Sequence, residues 1–300
     1  MAKKIGVALS GGGARGLAHI GVLKVMEELD LPIAMLAGTS MGGIVAAFRA
    51  AGTSAGEIEE LASSLRLLDI LQWDSSGLGL VGREKTAQLL RQTLGGDPSF
   101  DQLEIPLALT AVDLESGQEV TLKEGSVVDA ILATTALAAV FPPTEWQGRM
   151  LVDGGFLNPV PFDVVHEMGA DRVVASHTYH DMSNLLNPAD KQDDAAASSA
   201  VRLILRRSRV ALALRILERS MSIQSEALVA QRMRHTPPDL MIQIPLAVGL
   251  FDLDRADETI DAGEAAARRH MDELIELRDY VRLKPWTRWW RSASRALRRK

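Results

Sequence analysis

The first fifty residues repeat one pattern twice: a short apolar run, a glycine-rich turn, then a segment with apolar residues at helical spacing. "KIGVALS" passes through "GGGARG" into "LAHIGVLKVMEELD", and "IAMLAG" passes through "TSMGG" into a second helix beginning at about Gly43. Apolar runs of this length suit strands buried on both faces. Two strand, loop and helix units in succession predict an α/β fold whose parallel sheet is covered by helices.

The remainder extends the same fold. A helix is predicted from Ser54 to Trp73 and another over "REKTAQLLRQTLGG", stopped by its paired glycines. "IPLALTAVDL" and "QEVTLKEG" flank Glu115-Ser116-Gly117 and read as strands joined by a turn. "VVDAILATTALAAV" is predicted to be one helix ending before Pro142-Pro143. "RMLVDGG" and "ADRVVASHTY" are strands with a short helix, "FDVVHEM", between them. After a stretch rich in Asn, Asp, Ser and Ala from Asp181 to Ala200, expected to be a mobile loop, "VRLILRRSRVALALRILERSMSIQSEALV" has a long helical pattern. Its polar positions are mostly arginine, which fits a solvated face or a basic face set against a membrane. "DLMIQIPL" is a last strand and "ADETIDAGEAAARRHMDELIELRDYV" a final long helix. The expected organisation is a single domain over residues 1–280, with motifs within 5–178 and a helical and strand part at 201–280, followed by a basic tail at 281–300.

Composition narrows the function classes. With 47% apolar residues in 300, a sizeable core is possible, and with no cysteine neither a disulfide framework nor a thiolate metal site is. The start of the chain is too punctuated by glycine for a secretory signal, and no apolar run reaches the length of a membrane span. The expectation is a cytoplasmic protein that touches a membrane only peripherally, at its inner face. Net charge is −6, yet residues 282–300 carry eight Lys or Arg and no acid, so the body is more acidic than the whole. That argues against nucleic acid as a partner, whereas Trp286, Trp289 and Trp290 among the arginines of 285–300 are the ingredients of an interfacial anchor.

The chemistry centres on two glycine-rich turns and an aspartate. "GTSMGG" places Ser40 after a strand and before a helix, with Gly38 and Gly42 on either side, in the G-x-S-x-G pattern of a nucleophile elbow. An ordinary strand-to-helix turn has the same look. "GGGARG" satisfies G-x-G-x-x-G through Gly11, Gly13 and Gly16, but the next strand ends in "AGTSMGG" with no carboxylate for a ribose, which weakens a dinucleotide reading. No Gly-Lys-Ser/Thr follows, so it is not a Walker A loop. Its successive N–H groups instead suit an oxyanion, and Arg15 could add charge there or simply anchor the loop. A serine needs a base. His177 and His180 follow a strand and are the histidine candidates, but Asp153, which ends an apolar run before Gly154 and Gly155, is the stronger one.

At "GGGARG", "GTSMGG" and "DGGFLNPVP", in that order, the sequence resembles the patatin-like phospholipase family. The resemblance implies a three-layer α/β/α sandwich with a mainly parallel central sheet. It also implies an enzyme that hydrolyses acyl esters of lipids with a Ser/Asp dyad and neither metal nor cofactor. Ser40 would be the nucleophile, Asp153 the base, and Gly11, Gly12 and Gly13 oxyanion donors, with Met41 a further donor by elbow geometry; His19 is read as structural. The segment from Ala133 to Pro143 lacks the proline and glycine usual before "FPP" in the family, which predicts a helix that runs further and an altered substrate preference. A non-catalytic lipid-binding protein on this fold, and an esterase or thioesterase acting on soluble acyl compounds, remain as alternatives.

Overall fold

The computed structural model describes residues 3–64, 83–138, 140–180 and 209–282. Among these residues eight strands form one mixed sheet: β1 (Ile5–Leu9), β2 (Ile33–Gly38), β3 (Leu107–Asp113), β4 (Glu119–Leu122), β5 (Thr144–Trp146), β6 (Arg149–Asp153), β7 (Arg172–His180) and β8 (Leu240–Leu246). The order along the sheet is β5-β6-β3-β2-β1-β7-β8, with β4 paired to β3. Strands β3, β2, β1, β7 and β8 are mutually parallel, while β4, β5 and β6 pair antiparallel. Consecutive residues of a strand face opposite sides, and the core divides accordingly. Ile5, Val7 and Leu9 of β1 enter one apolar cluster and Ala8 enters the other.

Helices cover both faces, as an α/β/α sandwich requires. On the first lie α1 (Ala18–Glu28), α2 (Met41–Ala50), α3 (Ala55–Ser64), α4 (Glu84–Thr93), α5 (Val127–Thr134) and α8 (Ala256–Arg269). On the second lie α6 (Phe162–Glu167), through Phe162, Val164 and Val165, and α7 (Arg209–Met233), through Val229. A last helix, α9 (Met271–Arg282), buries Leu274.

Helices α1 and α8 nearly touch at the backbone. A Cβ placed on Gly263 would stand 1.9 Å from the Ala18 carbonyl oxygen, and one on Gly21 would stand 2.1 Å from that of Ile260. Only glycine permits this approach.

Two helix expectations are corrected. The run from Val127 ends at Thr134 rather than continuing to Val140, even without the family's proline and glycine. Tertiary bonds outweigh local propensity here: the Ala136 carbonyl accepts the Asp153 N–H at 3.0 Å, and the Thr134 hydroxyl is taken by another element. The final helix is two, α8 and α9, separated at His270. Of the Ser54–Trp73 helix, Ala55–Ser64 is described and the rest lies outside the described residues. The expected mobile loop at 181–200 and the tail at 285–300 also lie outside them. No described helix is long and apolar enough to cross a membrane.

The close helix contact makes Gly263→Ala destabilising by about 1–3 kcal/mol, since backbone must move to admit one methyl. Gly56→Ala, in α3 with nothing within 4 Å of the new carbon, should be neutral or stabilise by up to about 1 kcal/mol through helix propensity. Urea unfolding of the two variants checks both signs.

Candidate active site

The sheet register brings Ser40 and Asp153 together. Strand β2 pairs with Leu107 to Leu109 of β3, and β6 pairs with Ala111 to Asp113. Strand β4 pairs with Leu109 through Val112, so it shares partners with both and must occupy the opposite edge. Thus β2 and β6 lie end to end along one edge of β3. One runs with β3 and the other against it, so their carboxyl ends face each other across Thr110. Ser40 follows the first end and Asp153 is the second.

Hydroxyls fill the gap. The Thr39 hydroxyl donates its single proton to the Asn158 carbonyl at 2.8 Å, so in its 2.7 Å contact with Thr110 it is the acceptor. All three residues are fully buried. Gly154 turns the chain directly against Thr110, whose oxygens would lie 2.3 and 2.4 Å from a Cβ there. The Asn158 amide then reaches Glu119 at 2.7 Å and Asp163 at 2.9 Å, tying this turn to β4 and α6.

Ser40 has φ 52° and ψ −125°, a conformation costly for any residue with a side chain, by about 1–3 kcal/mol. The strain is held from both sides. A Cβ on Gly42 would sit 2.3 Å from the Ser10 carbonyl, so α2 can begin this close to β1 only with glycine there; a Cβ on Gly38 would strike Gly42 and Gly43. The Ser40 N–H donates to the Thr134 hydroxyl of α5 at 2.9 Å. Its own side chain caps nothing, which leaves the hydroxyl to the site.

Asp153 is buried, and its Oδ1 accepts the Gly155 N–H at 2.8 Å. Burial pushes its pKa up to about 6, against the opposing pull of the Ser40 side chain, which favours the ionised carboxylate, and of the Gly155 N–H. A carboxylate poised there suits a proton acceptor near neutral pH.

The glycine loop lies alongside, because β1 and β2 are parallel neighbours and both turns leave the same sheet edge. A Cβ on Gly11 would be 3.4 Å from the Ser40 Cβ. Gly12 and Gly13 have φ of 148° and 57°, values that L side chains rarely adopt. Among the described residues no acceptor takes the N–H of Gly12, Gly13 or Met41. Gly11 differs from expectation: its N–H is engaged by the Pro159 carbonyl at 3.0 Å, which fastens the loop to the turn after Asp153.

Arg15 anchors. It is 5% exposed, pairs with Glu218 of α7 at 2.7 Å and donates to the Val248 carbonyl at 2.9 Å. Its Nε, also buried, has no partner among the described residues. Gly11, Gly12, Gly13, Ser40, Met41 and Asp153 open on a cavity of about 480 Å³. The walls are largely apolar, among them Ile44, Leu132, Leu137, Phe141 and Leu250, and α7 covers it with Met221.

The histidines sit elsewhere in the network. His19 is fully buried and joins β1 to β7 through the Ser10 carbonyl at 2.9 Å and the Ser176 hydroxyl at 2.8 Å; burial lowers its pKa to about 4. His177 is 2% exposed, its pKa lowered to about 4 by burial, with Nε2 3.4 Å from Glu226 of α7. Among the described residues neither of its ring nitrogens makes a hydrogen bond, so it is not joined to Ser40 or Asp153. The His180 side chain lies outside the described residues. Sequence reasoning missed Thr134, Thr110 and Asn158. The Thr134-Thr135 pair, β-branched at the end of an alanine-rich run, was the one available signal.

Comparison with known proteins places this chain in a family. A model of the patatin-like phospholipase family matches residues 7–166, which include both glycine turns and Asp153. An uncharacterized NTE family protein of Mycobacterium tuberculosis is 37% identical over 175 residues, covering 57% of this chain and 48% of its own. Neuropathy target esterase sws of Drosophila melanogaster is 31% identical over 182 residues, covering 57% of this chain and 12% of its own. The chain therefore spans less than half the length of these relatives. Among solved structures, VipD from Legionella pneumophila matches with a TM-score of 0.54 at 12% identity, covering 91% of this chain and 67% of that one, a likeness of fold. With more than half of its residues matched by the family model, the chain belongs to the patatin-like phospholipase family.

Proposed function

We propose that the protein is a serine acyl hydrolase acting on long-chain lipid esters through Ser40 and Asp153. The observation that carries this reading is the strained Ser40 facing a buried Asp153 at the mouth of an apolar cavity, beside N–H groups that no described residue accepts.

In this mechanism Asp153 accepts the hydroxyl proton as Ser40 Oγ bonds to the ester carbonyl carbon. The carbonyl oxygen becomes an oxyanion held by the N–H groups of Gly12, Gly13 and Met41, in a low-dielectric site where such donors act most strongly. Collapse of the intermediate expels the alcohol, which takes the proton back from Asp153. Water then attacks the acyl-enzyme with Asp153 again as base, and the fatty acid leaves. The apolar walls favour a long acyl chain over the small substrates of a general esterase or thioesterase.

Labelling with a long-chain fluorophosphonate followed by peptide mapping tests the reading. The label is expected on Ser40, and Ser40→Ala and Asp153→Asn should each lose more than about 10³-fold in turnover. A well-folded wild type that takes no label, or full activity in Asp153→Asn, would overturn it and favour a non-catalytic lipid-binding role. Long-chain esters should also be cleaved with higher kcat/KM than short soluble ones.

The base must be ionised, so kcat/KM should rise with pH through about 6, with the slope of a single proton. The same burial affects stability. The folded state holds the Asp153 proton more tightly than the unfolded chain, so its cost is absent below the ordinary value of 3.8, grows as pH rises and is complete above about 6. Asp153→Asn should therefore be more stable than wild type at pH 7–8, by at most about 3 kcal/mol, with the gap closing below pH 4 in chemical denaturation.

A further inference from the structure

The cavity holds a second set of polar groups that the mechanism does not use. Arg83, immediately before α4, and Thr86, in its first turn, both line it. Arg83 gives one N–H to the Pro143 carbonyl at 3.1 Å, but its Nε is buried with no partner among the described residues, and so is the Thr86 hydroxyl. Residues three apart on a helix share a face, so the two groups present themselves together.

Arg15 has Glu218; Arg83 has no carboxylate within 4 Å among the described residues. Burial works against its charge, and Asp129 and Glu84 support that charge only from a distance. A guanidinium stays ionised in any such setting, so the cavity contains a cation with an unused, desolvated donor. Buried donors of this kind are uncommon unless something else satisfies them.

We propose that Arg83 and Thr86 form an anion subsite that receives the phosphate of an acyl glycerophosphate whose ester lies at Ser40, so that phosphate-bearing lipids are selected over neutral acylglycerols. The proposal rests on the acyl-hydrolase reading above, and its test includes an arm that needs no turnover. In that arm, dodecyl phosphate, dodecanol, dodecanoate and inorganic phosphate are titrated calorimetrically into the Ser40→Ala protein, with and without Arg83→Gln, Arg83→Lys or Thr86→Val.

Dodecyl phosphate should bind about tenfold to a hundredfold more tightly than dodecanol, the range of one or two charge-assisted hydrogen bonds. Arg83→Gln should abolish that advantage, Arg83→Lys retain most of it, and Thr86→Val reduce it by a smaller factor. In the turnover arm, Arg83→Gln should lower the ratio of kcat/KM for 1-acylglycerol phosphate over 1-monoacylglycerol by at least about tenfold. Equal affinity for dodecyl phosphate and dodecanol, or an advantage that survives Arg83→Gln, would overturn the subsite. Equally tight, Arg83-dependent binding of dodecanoate or of inorganic phosphate would overturn the assignment to a lipid phosphate, in favour of the fatty-acid product or of free phosphate. Phosphate-selective binding without turnover of any ester would support the subsite and defeat the hydrolase reading instead.

Discussion

The site depends on one edge of β3 being shared by two strands that meet head to head. A strand edge ordinarily serves one partner along its length. Here β2 uses the first half and β6 the second, and the single unpaired position between them, Thr110, is bridged by a threonine hydroxyl and a glycine turn. Backbone pairing is far stiffer than side-chain contact, so the separation of Ser40 and Asp153 is set by hydrogen-bond register before any side-chain rotamer is chosen. The proposed catalytic pair therefore stands on rigid elements, and the loops beyond it are free to shape the cavity.

Around that meeting point the fold sustains several unfavourable states at once. Ser40 has a backbone conformation that favours glycine, Asp153 is buried with a raised pKa, and the amides of Gly12, Gly13 and Met41 are left unpaired among the described residues. None would persist alone. They are outweighed by the parallel core on both sheet faces, by the Thr39, Thr110 and Asn158 hydrogen bonds, and by the packing of α1 on α8. Concentrating strain and desolvation at one locus is a common signature of pre-organised chemistry.

Much of this was legible in the residues. The strand, loop and helix units predicted the α/β architecture, and three motifs in order pointed to the residues that the register brings together. What escaped the sequence was set by tertiary partners. The helix from Val127 stops at Thr134, where the Ser40 N–H binds the Thr134 hydroxyl and the Asp153 N–H the Ala136 carbonyl just beyond, contacts that no local propensity encodes. Gly11 resembles its neighbours in the motif, yet only the returning chain at Pro159 shows that its N–H is already committed. His177, expected to follow a strand as a triad histidine would, lies within β7, whose parity turns it under α7 beside Glu226. Of the antiparallel pairings, β3 with β4 was legible as two strands joined by a turn, whereas that of β6 with β3 was not, because it joins segments far apart in the chain.

Arg15 links two parts of the molecule with different tasks. Its backbone belongs to the glycine turn, and its guanidinium is clasped by Glu218 on the helix that covers the cavity. Moving α7 away from the cavity would leave that guanidinium largely enclosed and without its counter-charge, a state costly enough to pull on the turn that carries it. Cover and glycine turn are thus mechanically coupled: a displacement of α7 would be felt at the N–H groups of Gly12 and Gly13.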